Sequence, residues 1–257
     1  LKENTVKGNL FVSVKGGNTA NTEFEFLTGD SCAFLPSGSV AYQQFLHKET
    51  PSLASHLKNM GYATTAIHPY YASGWNREKV YQYFGFDQAL FLDSFENPEK
   101  IREYVSDREA FKKIIEQYES KEKGKPLFLF EVTMQNHGGY SRDYPGFEPT
   151  IELTQFPEKT TQIVAVEKYL TLIQKSDEAF GELLDYFEDQ KEKTVILMFG
   201  DHQPSDYITN PLLNLNGIDR ESSLEEFQKG YVVPFVIWAN YDIEEETVDK
   251  ISVNYLS

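Results

Sequence analysis

Val195-Ile196-Leu197-Met198-Phe199-Gly200-Asp201-His202-Gln203-Pro204 is the stretch whose reading decides the fold. Five consecutive apolar residues follow a charged run and end at Gly200. That pattern predicts a strand buried on both faces, of the kind that fills the parallel sheet of an α/β protein. Such a strand delivers Asp201 and His202 to its carboxyl end, the edge of an open α/β sheet where ligands bind. A carboxylate and an imidazole side by side can both ligate one divalent cation. Taken alone, the pair fits a capped turn and a surface histidine equally well.

The 257 residues suffice for one sizeable domain, and the whole chain, 1–257, is read as one. A hydrophobic content of 40% with 14% aromatic residues is that of a globular protein, and no apolar run is long enough to cross a bilayer. The 40 acidic residues against 24 basic ones leave a formal charge of -16, which repels nucleic acid and anionic lipid. No nucleic-acid partner is therefore expected, and an anionic substrate must be met by a local pocket of donors. Cys32 is the single cysteine, so an intrachain disulfide and a thiolate metal cluster are both excluded. The opening Leu1-Lys2-Glu3 and the closing Asn254-Tyr255-Leu256-Ser257 give the expectation of a piece cut from a longer protein at both ends.

Outward from the central stretch, strands and helices alternate. Leu10 to Val14 is predicted as a strand, after which Lys15-Gly16-Gly17 turns the chain and Asn18-Thr19 opens a helix through Phe26 with Gly29 as its stop. Thr50-Pro51 supplies an N-cap and a first-turn proline for a helix carrying Leu53, Leu57 and Met60, ended by Gly61. Ala63 to Ile67 is a strand that ends in His68-Pro69, and an aromatic loop, Tyr70 to Trp75, leads to a helix capped by Asn76 and stopped by Gly85. Ser106-Asp107-Arg108-Glu109 reads as a capping box before an amphipathic helix. Leu127 to Val132 is the next strand, and it runs into Asn136-His137-Gly138-Gly139-Tyr140. Ser141 to Pro157 holds three prolines and reads as an irregular lid. Apolar spacing from Ile163 to Phe187 predicts one long helix over Thr161 to Glu188, and Val232 to Trp238 is the last strand. The alternation predicts an α/β fold with a mostly parallel central sheet and helices on both faces.

Thr19, His68, His137 and the Asp201-His202 pair all fall at strand ends. A hydroxyl at a helix N-terminus is suited to attack phosphorus, because the helix dipole and free amides favour both the alkoxide and the incoming anion. Each residue has a plainer reading, Thr19 as an N-cap and the histidines as ordinary loop residues. Their repetition at successive strand ends favours a site.

Four runs carry a family resemblance: Gly17-Asn18-Thr19-Ala20-Asn21-Thr22-Glu23-Phe24, Trp75-Asn76-Arg77 with Tyr83-Phe84-Gly85-Phe86-Asp87, Asn136-His137, and Gly200-Asp201-His202. In this order they resemble the lipoteichoic acid synthase and phosphoglycerol transferase group, in the sulfatase-like branch of the alkaline phosphatase superfamily. The resemblance implies that Thr19 is the nucleophile that takes a glycerophosphoryl group covalently, and also a metal ligand. It makes Asp201 and His202 further ligands of one divalent ion, manganese ahead of magnesium or zinc. It places His68, Trp75, Arg77 and His137 around the bound phosphate and glycerol, with Arg77 as a charge-assisted fork and His137 as a proton shuttle.

The resemblance further implies a glycerophospholipid donor, an envelope glycan or lipid acceptor, and a membrane-anchored protein with this domain on the extracellular side of a bacterial cell membrane. Family members open this domain with a strand ending in a metal-binding carboxylate, expected upstream of Leu1. Thr19, Asp201 and His202 alone are thus expected to hold the ion weakly, leaving the piece itself inactive or nearly so. Cys32 lies in Ser31-Cys32-Ala33-Phe34-Leu35, which lacks the formylglycine motif and argues against sulfate ester hydrolysis. A phosphoethanolamine transferase, a phosphodiesterase and a catalytically silent glycerophosphate-binding relative are the alternatives on the same fold.

Overall fold

The structure, a computed structural model, describes residues 3–257. In chain order its elements are β1 (Thr5–Phe11), α1 (Thr19–Thr28), α2 (Ala41–Gln44), α3 (Leu53–Asn59), β2 (Ala63–Ile67), α4 (Arg77–Tyr83) and β3 (Gln88–Leu90). There follow β4 (Lys100–Ile101), β5 (Tyr104–Val105), α5 (Asp107–Ser120), β6 (Leu127–Glu131), α6 (Thr161–Glu188), β7 (Val195–Phe199), α7 (Asp206–Leu215), α8 (Leu224–Gln228), β8 (Val232–Ala239) and β9 (Glu246–Ser252). They group into two compact units, one of residues up to Phe45 with Leu184–Ser257, the other of Leu46–Leu183.

The first unit is built on a four-stranded sheet in the order β7-β8-β1-β9. The apolar run Val195–Phe199 forms the expected strand, but it pairs antiparallel with β8 and lies at the edge of this sheet, with Val195 54% exposed. The expected burial on both faces fails together with the expected parallel neighbour: none of the five residues is fully buried, because an edge strand is covered on one side only. β8 is antiparallel to β1, and β1 is parallel to β9. The first strand is Thr5–Phe11 and not Leu10 to Val14: it starts earlier, because alternate residues of a strand need not be apolar throughout, and it ends before Val12, where the chain already turns toward α1. Gly8 is required where β1 and β9 shift register, since a Cβ there would lie 2.0 Å from the Val248 carbonyl oxygen. α1 packs Ala20, Phe24, Phe26 and Leu27 inward, with the Phe26 and Phe199 rings 5.0 Å apart, and ends at Gly29 in the left-handed conformation. Its buried Glu23 accepts from Tyr42 Oη at 3.1 Å, and Glu25 from the Cys32 amide at 2.7 Å.

The second unit carries the expected parallel sheet, in the order β3-β2-β6 with both pairings parallel. Its core joins Ile67, Phe95 and Val105 to Leu90, Leu92, Ile114 and Leu129. α3 is capped by Ser52, which forms a reciprocal box with Ser55, and not by Thr50-Pro51 as the sequence suggests. Ser52 is the better cap because its hydroxyl also donates to the Phe84 carbonyl at 2.6 Å. Ser106 caps α5 through the Glu109 amide, and α6 spans Thr161–Glu188 as its spacing predicts. The irregular proline-rich segment is tied to α6: the amides of Thr150 and Leu153 donate to Thr171 Oγ1 and Glu167 Oε1, at 3.0 and 2.7 Å.

Two carboxyl groups are buried together at the end of β6. Neither side-chain oxygen of Glu131 has a hydrogen-bond partner, nor has Asp107 Oδ1. Burial and the neighbouring Asp107 charge push the Glu131 carboxyl well above its ordinary range. Burial likewise pushes Asp107 up to about 6, against the opposing hydrogen bonds from Ser176 and Thr133. A carboxyl raised in this way keeps its proton in the fold after the unfolded chain has released it. Its stabilising contribution is complete below the ordinary carboxylate range and is lost as pH rises through the folded value, a window from 3.8 to about 6 for Asp107 and higher for Glu131. Stability should therefore fall between about pH 5 and about pH 8. Glu131→Gln, which cannot ionise, should remove roughly 1 to 3 kcal/mol of that fall. Thermal unfolding followed by circular dichroism at both pH values checks this; an equal loss in both proteins would clear Glu131 of the effect.

Candidate active site

In the first unit, Gly16, Gly17 and Asn18 all take positive φ, 73°, 153° and 66°, and this turn makes Thr19 the first residue of α1. Thr19 Oγ1 donates to Asp201 Oδ2 at 2.6 Å and lies 3.4 Å from His202 Nε2. The Asp201 carboxylate also accepts from the His202 amide at 2.9 Å, and the Asp201 carbonyl accepts from Thr22 Oγ1 at 2.7 Å. The first turn of α1 and the end of β7 are thus joined at two points.

His202 Nδ1 lies 2.8 Å from the Gln203 carbonyl oxygen. A carbonyl only accepts, so Nδ1 carries the proton and the lone pair of the neutral ring is on Nε2. Gln203 is itself held: its Nε2 donates to the carbonyls of Lys229 and Val232, at 2.9 and 2.7 Å, and its own carbonyl takes the Gly16 amide at 2.8 Å. His202 Nε2 and Asp201 Oδ2 face each other at 3.2 Å. The one proton Thr19 can donate goes to Asp201, which leaves two lone pairs opposed across this gap. A divalent cation fits such a set of carboxylate oxygen, imidazole nitrogen and hydroxyl oxygen, and manganese and zinc both suit it. Among the described residues no group of three or more His, Cys, Asp or Glu side chains is placed to hold a metal ion.

The second unit holds the other sequence-predicted residues. His68, at the end of β2, is 1% exposed; its Nδ1 donates to the Val132 carbonyl at 2.8 Å, and Arg77 Nη1 donates to its Nε2 at 3.2 Å. Arg77 is itself buried and also reaches the Gly74 carbonyl at 3.4 Å. Trp75 and Asn76 are successive non-glycine residues with φ of 54° and 60°. Backbone of this kind costs on the order of 1 to 3 kcal/mol per residue and persists where its surroundings impose it. His137, in the loop after β6, has Nδ1 2.9 Å from Tyr104 Oη. Nothing in the sequence pointed to Tyr104, because β4 and β5 are two residues each and show no periodicity. Cys32 is no nucleophile: burial and the Glu25 charge push its thiol up to about 12.

The sulfatase family model matches residues 1–256. A protein of Rhizobium meliloti (strain 1021) named "Putative cyclic beta-1,2-glucan modification protein" is 35% identical over 254 residues, 97% of this chain and 39% of that protein. The lipoteichoic acid synthase of Staphylococcus saprophyticus is 30% identical over 202 residues, 76% of this chain and 29% of the synthase. Among solved structures, the Streptococcus pyogenes phosphoglycerol transferase GacH in complex with sn-glycerol-1-phosphate matches with a TM-score of 0.77 at 23% identity, over 98% of this chain and 63% of that one. The lipoteichoic acid synthase LtaP from Listeria monocytogenes gives 0.76 at 21% identity, over 99% and 62%. These two structures speak for the fold, which is that of the alkaline phosphatase superfamily. This chain belongs to the sulfatase family. The chain spans less than two thirds of the length of the relatives it matches.

The fixed tautomer of His202 makes a checkable demand. His202→Ala should weaken binding of Mn2+ by at least about tenfold, since even residues that only orient a ligand cost tenfold to a hundredfold. Titration of the chain with Mn2+, followed by electron paramagnetic resonance, reads this directly. Unchanged binding would remove His202 from the ligand set.

Proposed function

We propose that this chain carries the catalytic domain of a metal-dependent phosphoglycerol transferase, with Thr19 as the nucleophile. The observation that carries the reading is the position of Thr19 Oγ1 at the start of α1, 2.6 Å from Asp201 Oδ2 and 3.4 Å from His202 Nε2. Asp201 is placed to take the hydroxyl proton as the oxygen attacks phosphorus. The Thr19 oxygen then bonds to the glycerophosphoryl group, and the lipid oxygen of the donor leaves as diacylglycerol once protonated. In the second half an acceptor hydroxyl attacks the same phosphorus, loses its proton, and Thr19 regains its hydroxyl. Held by Thr19, Asp201 and His202, a divalent ion, manganese ahead of zinc or magnesium, would lower the pKa of the attacking oxygen and polarise the phosphoryl group.

In this reading Arg77, oriented by His68, binds phosphate oxygens, Trp75 covers the glycerol, and His137 moves the proton of the departing or attacking hydroxyl. The donor is a glycerophospholipid and the acceptor an envelope glycan or lipid, with the complete protein anchored in a bacterial cell membrane and this domain on its outer side. The names of the lipoteichoic acid synthase and glucan modification relatives support an envelope acceptor. No helix among the described residues is long and apolar enough to cross a membrane. Phosphoethanolamine transfer on the same centre is the second reading, suggested by the fold shared with the periplasmic domain of the phosphoethanolamine transferase EptC from Campylobacter jejuni, which matches with a TM-score of 0.54 at 15% identity.

In the complete protein, Thr19→Ala should abolish turnover while leaving thermal unfolding unchanged, because it removes the attacking oxygen and not a core group. Substantial turnover by this variant with metal bound would end the covalent mechanism. Arg77→Ala should cost roughly 2 to 5 kcal/mol in binding of glycerophosphate, read by calorimetry, as expected for one partner of a buried charge pair. Equal affinities would return Arg77 to a structural role.

A further inference from the structure

The segment Gln135-Asn136-His137-Gly138-Gly139 has little to hold its own shape: two glycines follow the histidine, Gly139 at φ 95°, and no strand or helix includes it. Its geometry is imposed from outside, and Arg102 supplies much of it. Arg102 Nη2 donates to the carbonyls of Gln135 and His137, both at 2.7 Å, and Nη1 to that of Gly138 at 3.2 Å. The guanidinium sits over three tyrosine rings, those of Tyr104, Tyr140 and Tyr144, at 5.5, 5.3 and 5.5 Å from their centroids. Tyr140 Oη in turn donates to the Asn136 carbonyl.

This arrangement is costly. No carboxylate among the described residues lies within ion-pair distance of Arg102, its buried Nε has no partner, and its backbone takes the left-handed conformation at φ 61°. A half-buried cation with a buried orphan donor and a left-handed backbone is a poor device for stability alone. All three of its carbonyl partners belong to the residues on and around His137, which points to that side chain as the beneficiary.

Two residues beyond Arg102, on β5, Tyr104 completes the hold. Its hydroxyl meets His137 Nδ1 at 2.9 Å, and the two rings pack with centroids 5.3 Å apart. Burial, with the Glu103 charge, pushes the phenol up to about 12, so the hydroxyl persists across the neutral range. With Nδ1 engaged in either tautomer, a proton that His137 exchanges with substrate is carried by Nε2.

We propose that Arg102 and Tyr104 are positioning residues for His137, Arg102 setting the loop that carries the ring and Tyr104 setting which ring nitrogen serves the reaction. The proposal rests on the reading of His137 as the proton carrier given above. It adds two residues that touch neither phosphate nor metal in that reading.

Nitrogen-15 spectra of the imidazole groups test the positioning without any turnover. The chain has five histidines, and His137→Ala assigns the signal of interest by difference. Tyr104→Phe, which keeps the ring and removes only the hydroxyl, should shift the His137 nitrogen resonances and displace their titration between about pH 5 and about pH 9. In the complete protein, with a fluorescent phosphatidylglycerol as donor, Tyr104→Phe should lower kcat roughly tenfold to a hundredfold, the scale of a misdirected acid-base group. KM should stay within about twofold, because uniform binding is untouched. Arg102→Lys keeps the charge but loses the fork, and should reproduce the loss of kcat. Unchanged His137 resonances together with unchanged kcat in Tyr104→Phe would overturn the proposal, whether or not Arg102→Lys folds. Full activity of His137→Ala would instead overturn the proton-carrier reading, and the resonances would still decide whether Tyr104 and Arg102 orient the ring.

Discussion

A threonine hydroxyl has one proton to give, and Thr19 gives it to Asp201 across 2.6 Å. The rest of the first unit is arranged so that this bond forms with the His202 lone pair alongside it. The edge strand β7 ends at Gly200, the Asp201 carbonyl is tied to α1 through Thr22, and His202 is turned by a backbone carbonyl whose own residue is pinned between Lys229 and Val232. Each of these contacts uses a group that cannot change its donor or acceptor character, such as a backbone carbonyl or a side-chain amide. The orientation is therefore set before any ligand arrives, and the electrostatic opposition of Asp201 Oδ2 and His202 Nε2 is left for a cation to relieve.

The second unit places its polar residues by a different means. Its three strands are parallel, so β2 and β6 end at the same edge of the sheet and deliver His68 and the His137 loop there. The loops that follow have no regular hydrogen bonding and are shaped by buried polar groups. Ser176 Oγ links Asp107 with the Gln135 and Asn136 amides on one side of the His137 loop, and Arg102 takes its carbonyls on the other. Positive φ at Asn18, Trp75, Asn76 and Arg102 falls within two residues of Thr19, Arg77 and Tyr104. Asn4 and Asn97 take positive φ elsewhere, so strained backbone is shared between these loops and ordinary turns.

Much of the frame was legible beforehand. The strands Ala63–Ile67 and Val195–Phe199 and the helix Thr161–Glu188 fall where their apolar patterns put them, although only the first strand and the helix bury several of those side chains fully. Other elements left no such pattern. β9 reads Glu-Thr-Val-Asp-Lys-Ile-Ser and is held by pairing with β1 more than by apolar burial, while α7 carries Pro211 inside a helix. β4 and β5 are too short for any period to show.

The sequence by itself determined the class of fold, the helix start at Thr19, the turns after strands that carry His68, Asp201 and His202, the loop that carries His137, and the family to which those motifs point. These are properties of local pattern, since side-chain periodicity and glycine and proline punctuation act within a few residues. Only the tertiary structure decided that Val195–Phe199 is an antiparallel edge strand, that His202 holds its proton on Nδ1, that His68 meets Arg77, and that Arg102 and Tyr104 grip His137. The physical reason is that hydrogen-bond direction, strand pairing and the placement of a buried cation depend on partners tens to hundreds of residues away, and no local pattern encodes them.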